Sequence, residues 1–253
     1  MLNIDQKIIE KISSRLSEND LDFFKRVWAS PLDLYYTRLR ALDLEGLNHV
    51  LDAGFGVGQW TMPLADMNSK VSGIEFDRAR IQVVNDLSKE VGVTNIETVE
   101  GSIENLPYED STFDAVFCYS VVFQTDFRKS LMEFYRVLKP GGKIYLTANE
   151  LGWYLKLIIE NHNKSESYDP RVVGATTIKN TIDFLDNEDL IPGSQVIITQ
   201  KALKKAAFRV GYSDVEVGPE GSICRNSNYI PKSFYAVAEY MGHPMIYEAL
   251  LTK

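Results

Sequence analysis

The sequence predicts an α/β fold: a doubly wound, mostly parallel seven-stranded sheet with helices on both faces. Three observations predict it. From Asn48 onward, short apolar runs alternate with longer amphipathic stretches, the signature of parallel strands joined by helices. Runs such as DAVFCY and KIYLTA are apolar at consecutive positions, as expected of strands covered on both faces. A glycine-rich turn, Val50-Leu51-Asp52-Ala53-Gly54-Phe55-Gly56-Val57-Gly58, follows the first run and opens a helix.

Residues 1–45 read as a helical cap. Ile4, Ile8, Ile9, Ile12 and Leu16 share one face at helical spacing. Ser30-Pro31-Leu32-Asp33 looks like a helix start with Ser30 as N-cap, and Gly46 would end that helix. Strands are expected at 49–53, 70–75, 96–100, 115–119 and 143–148, with helices at 59–67, 77–91 and 127–138. Beyond them, 151–159 reads as an aromatic helix. A polar segment follows, then a stretch to Pro192-Gly193. Residues 194–208 read as a helix, 214–217 and 246–252 as strands, and 219–244 as a loop with a short helix. Leu138-Lys139-Pro140-Gly141-Gly142 reads as a structural turn into the fifth strand.

The chain has 253 residues, with 27 basic and 35 acidic side chains and a net charge of −8. That size buries a full core without staples. We expect one domain over 1–253: a cap at 1–45, a cofactor-binding core at 46–150, and acceptor-lid insertions at 151–195 and 219–244. Two cysteines, Cys118 and Cys224, make no disulfide framework, which fits a reducing, cytoplasmic setting. No apolar run approaches the ~20 residues of a membrane helix, so no membrane insertion is expected. The N-terminus lacks the apolar centre of a signal peptide. The acidic balance argues against a nucleic-acid partner.

The glycine turn is the strongest local feature. Its glycines let a ligand approach the backbone, and the helix start beyond offers free N–H groups. Dinucleotide binding calls for G-x-G-x-x-G, but position 59 is Gln. An NAD-type oxidoreductase on the same sheet is therefore the poorer match. Glu75 closes the second strand just before Asp77, where a carboxylate can accept both hydroxyls of a ribose.

These segments together resemble the class I S-adenosylmethionine-dependent methyltransferases, a Rossmann-like family. VLDAGFGVG is similar to the family's first motif and GIEFD to its second. GSIENLPYEDSTFDAVFC resembles the span through the third and fourth strands, and LMEFYRVLKPGGKIYLT the helix and fifth strand. The resemblance covers roughly residues 48–150. It is nearest to the small-molecule branch that includes quinone-pathway C-methyltransferases.

The resemblance implies S-adenosylmethionine as methyl donor, S-adenosylhomocysteine as product, and no metal. It implies that Gly54, Phe55, Gly56 and Gly58 lie against the methionine part and that Asp52 supports the turn or the amino group. Glu75 would hold the ribose, Phe76 would pack on adenine, and Ser102 with the Ile103 backbone would meet the adenine edge. Ser102 stands where relatives often carry an acid. Tyr119 and Ser120 would meet the methionine moiety and the methyl group, and Tyr36 is a candidate for the cofactor carboxylate.

Methyl transfer from a sulfonium is a direct displacement, so positioning supplies much of the rate and a base is optional. Candidate catalytic groups are His162 and Glu150. Tyr35, Gln124, Asn149, Trp153 and Tyr154 are candidates to line the acceptor pocket, with core packing the plain alternative for the aromatics. The motif of amino methylation, a magnesium cluster, a cysteine nucleophile and zinc spacing are all missing from the sequence. The expected activity is methyl transfer to a small molecule at O, N or C. A binding protein on this fold without turnover is the other alternative, and the oligomeric state stays open.

Overall fold

The computed structural model describes the chain except residues 1, 3, 5, 14, 15, 17, 167, 187–189 and 192, and the side chains at 6, 13, 18 and 19. Pro192 therefore lies outside the described residues. Three helices come first: α1 (Gln6–Ser13), α2 (Glu18–Trp28) and α3 (Leu32–Ala41). The alternating core follows as β1 (Val50–Ala53), α4 (Thr61–Met67), β2 (Val71–Glu75), α5 (Arg78–Val91), β3 (Ile96–Glu100), β4 (Phe113–Cys118), α6 (Phe127–Val137) and β5 (Leu138–Asn149). Next come α7 (Leu151–Glu160), α8 (Pro170–Leu185), α9 (Gln200–Val210) and β6 (Asp214–Pro219). A short ribbon of β7 (Glu239–Tyr240) and β8 (His243–Pro244) precedes β9 (Ile246–Thr252).

The seven-stranded sheet has the order β3-β2-β1-β4-β5-β9-β6. Only β9 runs against its neighbours, pairing antiparallel with both β5 and β6. Successive strands step outward from β1 to β3, then the chain crosses back to β4. The glycine turn after β1 thus sits where strand order reverses, the place where open α/β sheets bind ligands.

Local chemistry sets these elements. β1 and β2 are buried at every position, Asp52, Ser72 and Glu75 included, as central strands covered on both faces are. Asp77 caps α5 by accepting from the N–H groups of Ala79 and Arg80, and Gly92 at φ 74° ends it. Asp126 and Thr199 cap α6 and α9 the same way.

One core layer, with Leu51, Val116, Leu131, Phe134, Ile144, Leu203 and Ala249, packs α6 and α9 on the sheet. The opposite layer packs α3 and α4 through Leu39, Leu64, Val50, Phe117 and Leu250. Ile9, Ile12, Phe24 and Trp28 of the cap join Val83 and Val84 of α5, as the apolar face of the first helix predicts. Among the described residues, no helix is long and apolar enough to cross a membrane.

Four expectations change. Helix α9 starts at Gln200, not 194, because Val196 and Ile198 are buried in an extended segment whose N–H groups donate to the Phe123 and Asn149 carbonyls. That β-branched run behaves by its branching. The described part of 219–244 holds the ribbon and no helix. Helix α3 starts at Leu32 with Pro31 in the cap position and no side-chain cap, and it ends at Ala41, before Gly46. β5 begins at Leu138, with Gly141 at φ 77° and a shift of register against β4 between Phe113 and Ala115.

Candidate active site

Two regions meet at the carboxyl edge of the sheet. The first is the glycine turn. Gly54, Gly56 and Gly58 all adopt positive φ, at 81°, 56° and 86°. A Cβ on Gly54 would lie 2.5 Å from Val121, and one on Gly58 would lie 2.9 Å from Val84. A Cβ on Gly56 would meet nothing within 4 Å. Gly54 and Gly58 are therefore required by packing, whereas the loop beside Gly56 faces open space that a ligand can enter.

Glu75 is buried and organises this turn. Its Oε2 accepts from Gly56 N at 2.9 Å, and its Oε1 accepts from Phe76 N at 3.0 Å and Asp77 N at 3.2 Å. An ionised carboxylate oxygen has room for about two donors, so Oε2 can still accept a hydroxyl. Phe76 follows with 67% of its surface exposed, an apolar face placed for a flat ring. Ser102 is exposed beside it, its Oγ accepting from Glu104 N at 3.2 Å. Ile103 is buried in the core, so only its backbone is at the edge. Asp52 lies beneath the turn, accepting from Thr61 Oγ1 at 2.7 Å. Burial above all lifts its carboxyl to about 7; the Thr61 bond opposes this and the Glu75 charge adds to it.

The second region lies past β4 and β5. Ser120 turns the chain at φ 60°, donating its N–H to Thr147 Oγ1 at 2.8 Å. Gln124 Nε2 donates to the Ser120 carbonyl at 3.3 Å and so braces that turn. Non-glycine residues held in the left-handed region concentrate at functional sites. Tyr119, half-buried, lies 4.9 Å from the Trp60 ring and 6.2 Å from Phe234. Tyr235 sets its phenol against Ser120 and Tyr119 and its ring edge-on to Trp153 at 5.8 Å. The His162 ring also lies edge-on to Trp153, ring centres 5.9 Å apart. Burial pushes the phenols of Tyr119 and Tyr235 upward, so both stay protonated at neutral pH.

The structure redistributes several expected roles. The Tyr36 hydroxyl donates to Asp66 at 2.6 Å, at the end of α4 remote from the glycine turn, so it does not reach the cofactor carboxylate. The Phe55 ring is core: a Cβ on Gly73 would lie 2.6 Å from it. Only the Phe55 backbone belongs to the turn. Tyr35 is buried, donates to the Val27 carbonyl, and backs the wall through Trp60 at 4.7 Å. Tyr154 is fully buried, donating to Gln195 Oε1 at 3.3 Å, with the Asn149 side chain also at its phenol. Both are supports rather than lining.

Glu150 is buried, and Gln200 N donates to its Oε1 at 2.6 Å, so it tethers the start of α9. Burial raises its pKa. Its carboxylate faces the start of α9, while its carbonyl accepts from Trp153 N at 3.1 Å. His162 Nδ1 is buried without a hydrogen bond, 3.9 Å from the Glu160 carboxylate.

Sequence reasoning missed the group that holds the second region together. Arg38 of α3 is fully buried. Its Nη1 donates to Glu220 Oε1 at 2.8 Å, Glu248 Oε2 at 3.0 Å and Tyr145 Oη at 3.0 Å, and its Nη2 to the Lys232 carbonyl. Tyr145 also donates to Glu248 at 2.7 Å. Phe234, Tyr235 and Trp60 were missed with it. The signal available was Glu248, a charge inside the apolar run Ile246–Thr252. Trp28 was missed too: its Nε1 donates to the Val57 carbonyl at 3.2 Å, docking α2 on the glycine turn. Among the described residues, no three metal-ligating side chains cluster.

The strand order, the reversal at the glycine turn and the acid closing β2 define a Rossmann-like sheet with one antiparallel strand. Residues 51–146 match a family model described as a methyltransferase domain. Over that span the chain is similar to methyltransferase domains, on a sheet of the class I methyltransferase type. It is 34% identical over 146 residues to a demethylmenaquinone methyltransferase of Lactococcus lactis, covering 55% of this chain and 56% of that protein. The chain thus spans about half the length of the curated relatives it matches.

Among solved structures, it superposes on phosphoethanolamine N-methyltransferase 2 of Haemonchus contortus in complex with S-adenosylhomocysteine. The TM-score is 0.59 at 17% identity, over 87% of this chain and 52% of that one. It also superposes on the [4+2]-cyclase SpnF, with a TM-score of 0.56 at 18% identity over 88% and 79% of the chains. These likenesses show the fold; the cyclase is a reminder that the fold does not by itself fix the reaction.

Proposed function

We propose that the protein transfers a methyl group from S-adenosylmethionine to a small molecule bound against Tyr119, Phe234, Tyr235 and Trp153. One observation carries this reading: the turn at Gly56, Glu75 and Phe76 shares a sheet edge with that aromatic wall, so a cofactor along the first would point its reactive end toward the second. The residues fit the cofactor. Gly56 leaves a cradle that a side chain would narrow, Glu75 Oε2 has an accepting position left, and Phe76 offers an uncovered ring.

When bound, S-adenosylmethionine supplies a sulfonium-activated methyl group. The protein's own work is placement. The glycine turn and Glu75 hold one partner, the rings hold the other, and the covering segments exclude water. We take residues 1–45, 151–195 and 219–244 to be that cover and residues 46–150 to be the cofactor core. The free cysteines fit a cytoplasmic location.

The test is acceptor-dependent formation of S-adenosylhomocysteine with a panel of hydroxylated rings, amines and naphthoquinols. The panel includes demethylmenaquinol, because relatives carry that activity in their names. Product formation with a small molecule supports the reading. Cofactor binding without turnover on any acceptor would favour a binding protein on this fold.

A further inference from the structure

Residues 230–237 lie outside helices and strands, and among the described residues none of their main-chain groups bonds to other main chain. The Arg38–Glu220 pair holds this segment instead, through Lys232, Ser233, Phe234 and Tyr235 in turn. Arg38 Nη2 donates to the Lys232 carbonyl. Glu220 Oε2 accepts from Ser233 Oγ at 2.6 Å and from Phe234 N at 2.9 Å. Ser233 Oγ accepts from Tyr235 N at 3.0 Å. A Cβ on Gly221, at φ 88°, would lie 2.6 Å from Ser233 N and 2.9 Å from Arg38 Nη2, so the glycine lets the segment come this close. The chain is fixed upstream as well, where Arg225 N and Asn226 N donate to the Ala41 carbonyl at the end of α3, at 2.7 and 3.1 Å.

The other oxygen of the same carboxylate faces the end of β4. Glu220 Oε1 accepts from Arg38 Nη1 at 2.8 Å and from Tyr119 Oη at 3.2 Å. One buried, planar group thus ties Tyr119 to the segment carrying Phe234, and the two rings stand edge-on 6.2 Å apart. Phe234 is seated further by Tyr35 at 5.2 Å, by Trp60 edge-on at 5.7 Å, and by the Arg38 guanidinium 5.7 Å above its ring. The cofactor turn shares none of these bonds: its own carboxylate, Glu75, holds Gly56, Phe76 and Asp77.

We propose that Glu220 is the positioning residue of the acceptor site, holding Phe234 and Tyr235 against Tyr119 without a part in cofactor binding. The inference rests on the reading that these rings bind the acceptor. Every group around Glu220 donates to it, and the guanidinium and the Phe234 N–H can never accept. They address opposite oxygens. An amide in place of the carboxylate would set its NH2 against one or the other in either orientation, leaving a donor unpaired.

The test is titration calorimetry with S-adenosylhomocysteine and then, on that complex, with 1-naphthol as a flat hydroxylated ring. Glu220→Gln keeps size and shape; it should weaken 1-naphthol about tenfold while affinity for S-adenosylhomocysteine stays within about twofold. Ser233→Ala leaves the Arg38–Glu220 pair whole and removes only the hydroxyl tether, so it should weaken 1-naphthol about threefold, again with the cofactor product unaffected. Circular dichroism checks folding, and Ser233→Ala carries the test if Glu220→Gln is unfolded. A purely structural role would lower the melting temperature and leave the ratio of the two affinities at its wild-type value. An unchanged ratio in the folded variants, whether both affinities hold or both fall together, would overturn the proposal. A wild-type protein that binds S-adenosylhomocysteine but no 1-naphthol would overturn it together with the acceptor reading. One that binds no S-adenosylhomocysteine would overturn the cofactor reading beneath both.

Discussion

The two halves of the carboxyl edge are built by opposite means. The glycine-turn half comes from neighbours in sequence and works through backbone: Gly56 N, Phe76 N and Asp77 N converge on one carboxylate, Glu75. The acceptor half comes from residues far apart and works through side chains: Arg38, Tyr119, Glu220, Tyr235 and Glu248, drawn from a helix of the cap, the end of β4, a late loop and the last strand. On the proposed function, the cofactor would be recognised by a short local motif and the acceptor by long-range assembly, whose parts only the folded chain brings together.

The largest effect should come from breaking the long-range half. Arg38→Met leaves Glu220 and Glu248 buried without their counter-ion, which typically costs about 3–5 kcal/mol. Denaturant unfolding should show that loss, and a shift below about 1 kcal/mol would mean the cluster is not a unit.

Next, two glycines separate packing from binding. Gly54→Ala drives a Cβ against Val121 at a positive φ and should cost about 1–3 kcal/mol of stability. Gly56→Ala meets open space, so it should cost about 1 kcal/mol of backbone strain while weakening S-adenosylhomocysteine at least fivefold. Calorimetric binding alongside unfolding distinguishes them; equal behaviour would erase the contrast.

Asp52 sharpens the comparison through pH. Its carboxyl sits at about 7 in the folded protein against an ordinary 3.8, so the folded state keeps a proton that the unfolded chain releases. Between about pH 4 and 7 this makes stability fall as pH rises, with no further change above the folded value. Asp52→Asn cannot lose a proton and should gain on wild type across that window. Unfolding at pH 4, 6 and 8 checks the sign, and an advantage that is greatest at pH 4 would contradict it.

The smallest change in stability should follow Phe76→Ala. Its ring is mostly exposed, so folding should shift by under about 0.5 kcal/mol while cofactor affinity falls severalfold. Unchanged affinity would remove Phe76 from the site.

The same contrast explains what could be read from the sequence. Strand alternation, Asp77 as a cap and the spaced glycines are local, and each appears where its pattern places it. Side-chain roles beyond the core were less legible. Tyr36, Tyr154 and Glu150 lie in or beside helices that the sequence pattern predicts, yet their polar atoms turn to Asp66, Gln195 and Gln200. A residue's segment follows from periodicity, but its partner lies 30, 41 or 50 residues along the chain in these three cases. The run from Ser194 to Thr199 misled for a related reason: it reads as the start of the helix that follows, whereas burial of Val196 and Ile198 draws it out straight. Arg38 was invisible because a lone arginine on a helix ordinarily faces water.

Calorimetric titration of the wild-type chain with S-adenosylmethionine and S-adenosylhomocysteine tests the central claim most directly. The account predicts saturable one-to-one binding of both, weakened when Gly56 carries a side chain. Absence of heat at millimolar ligand from a folded protein would contradict it.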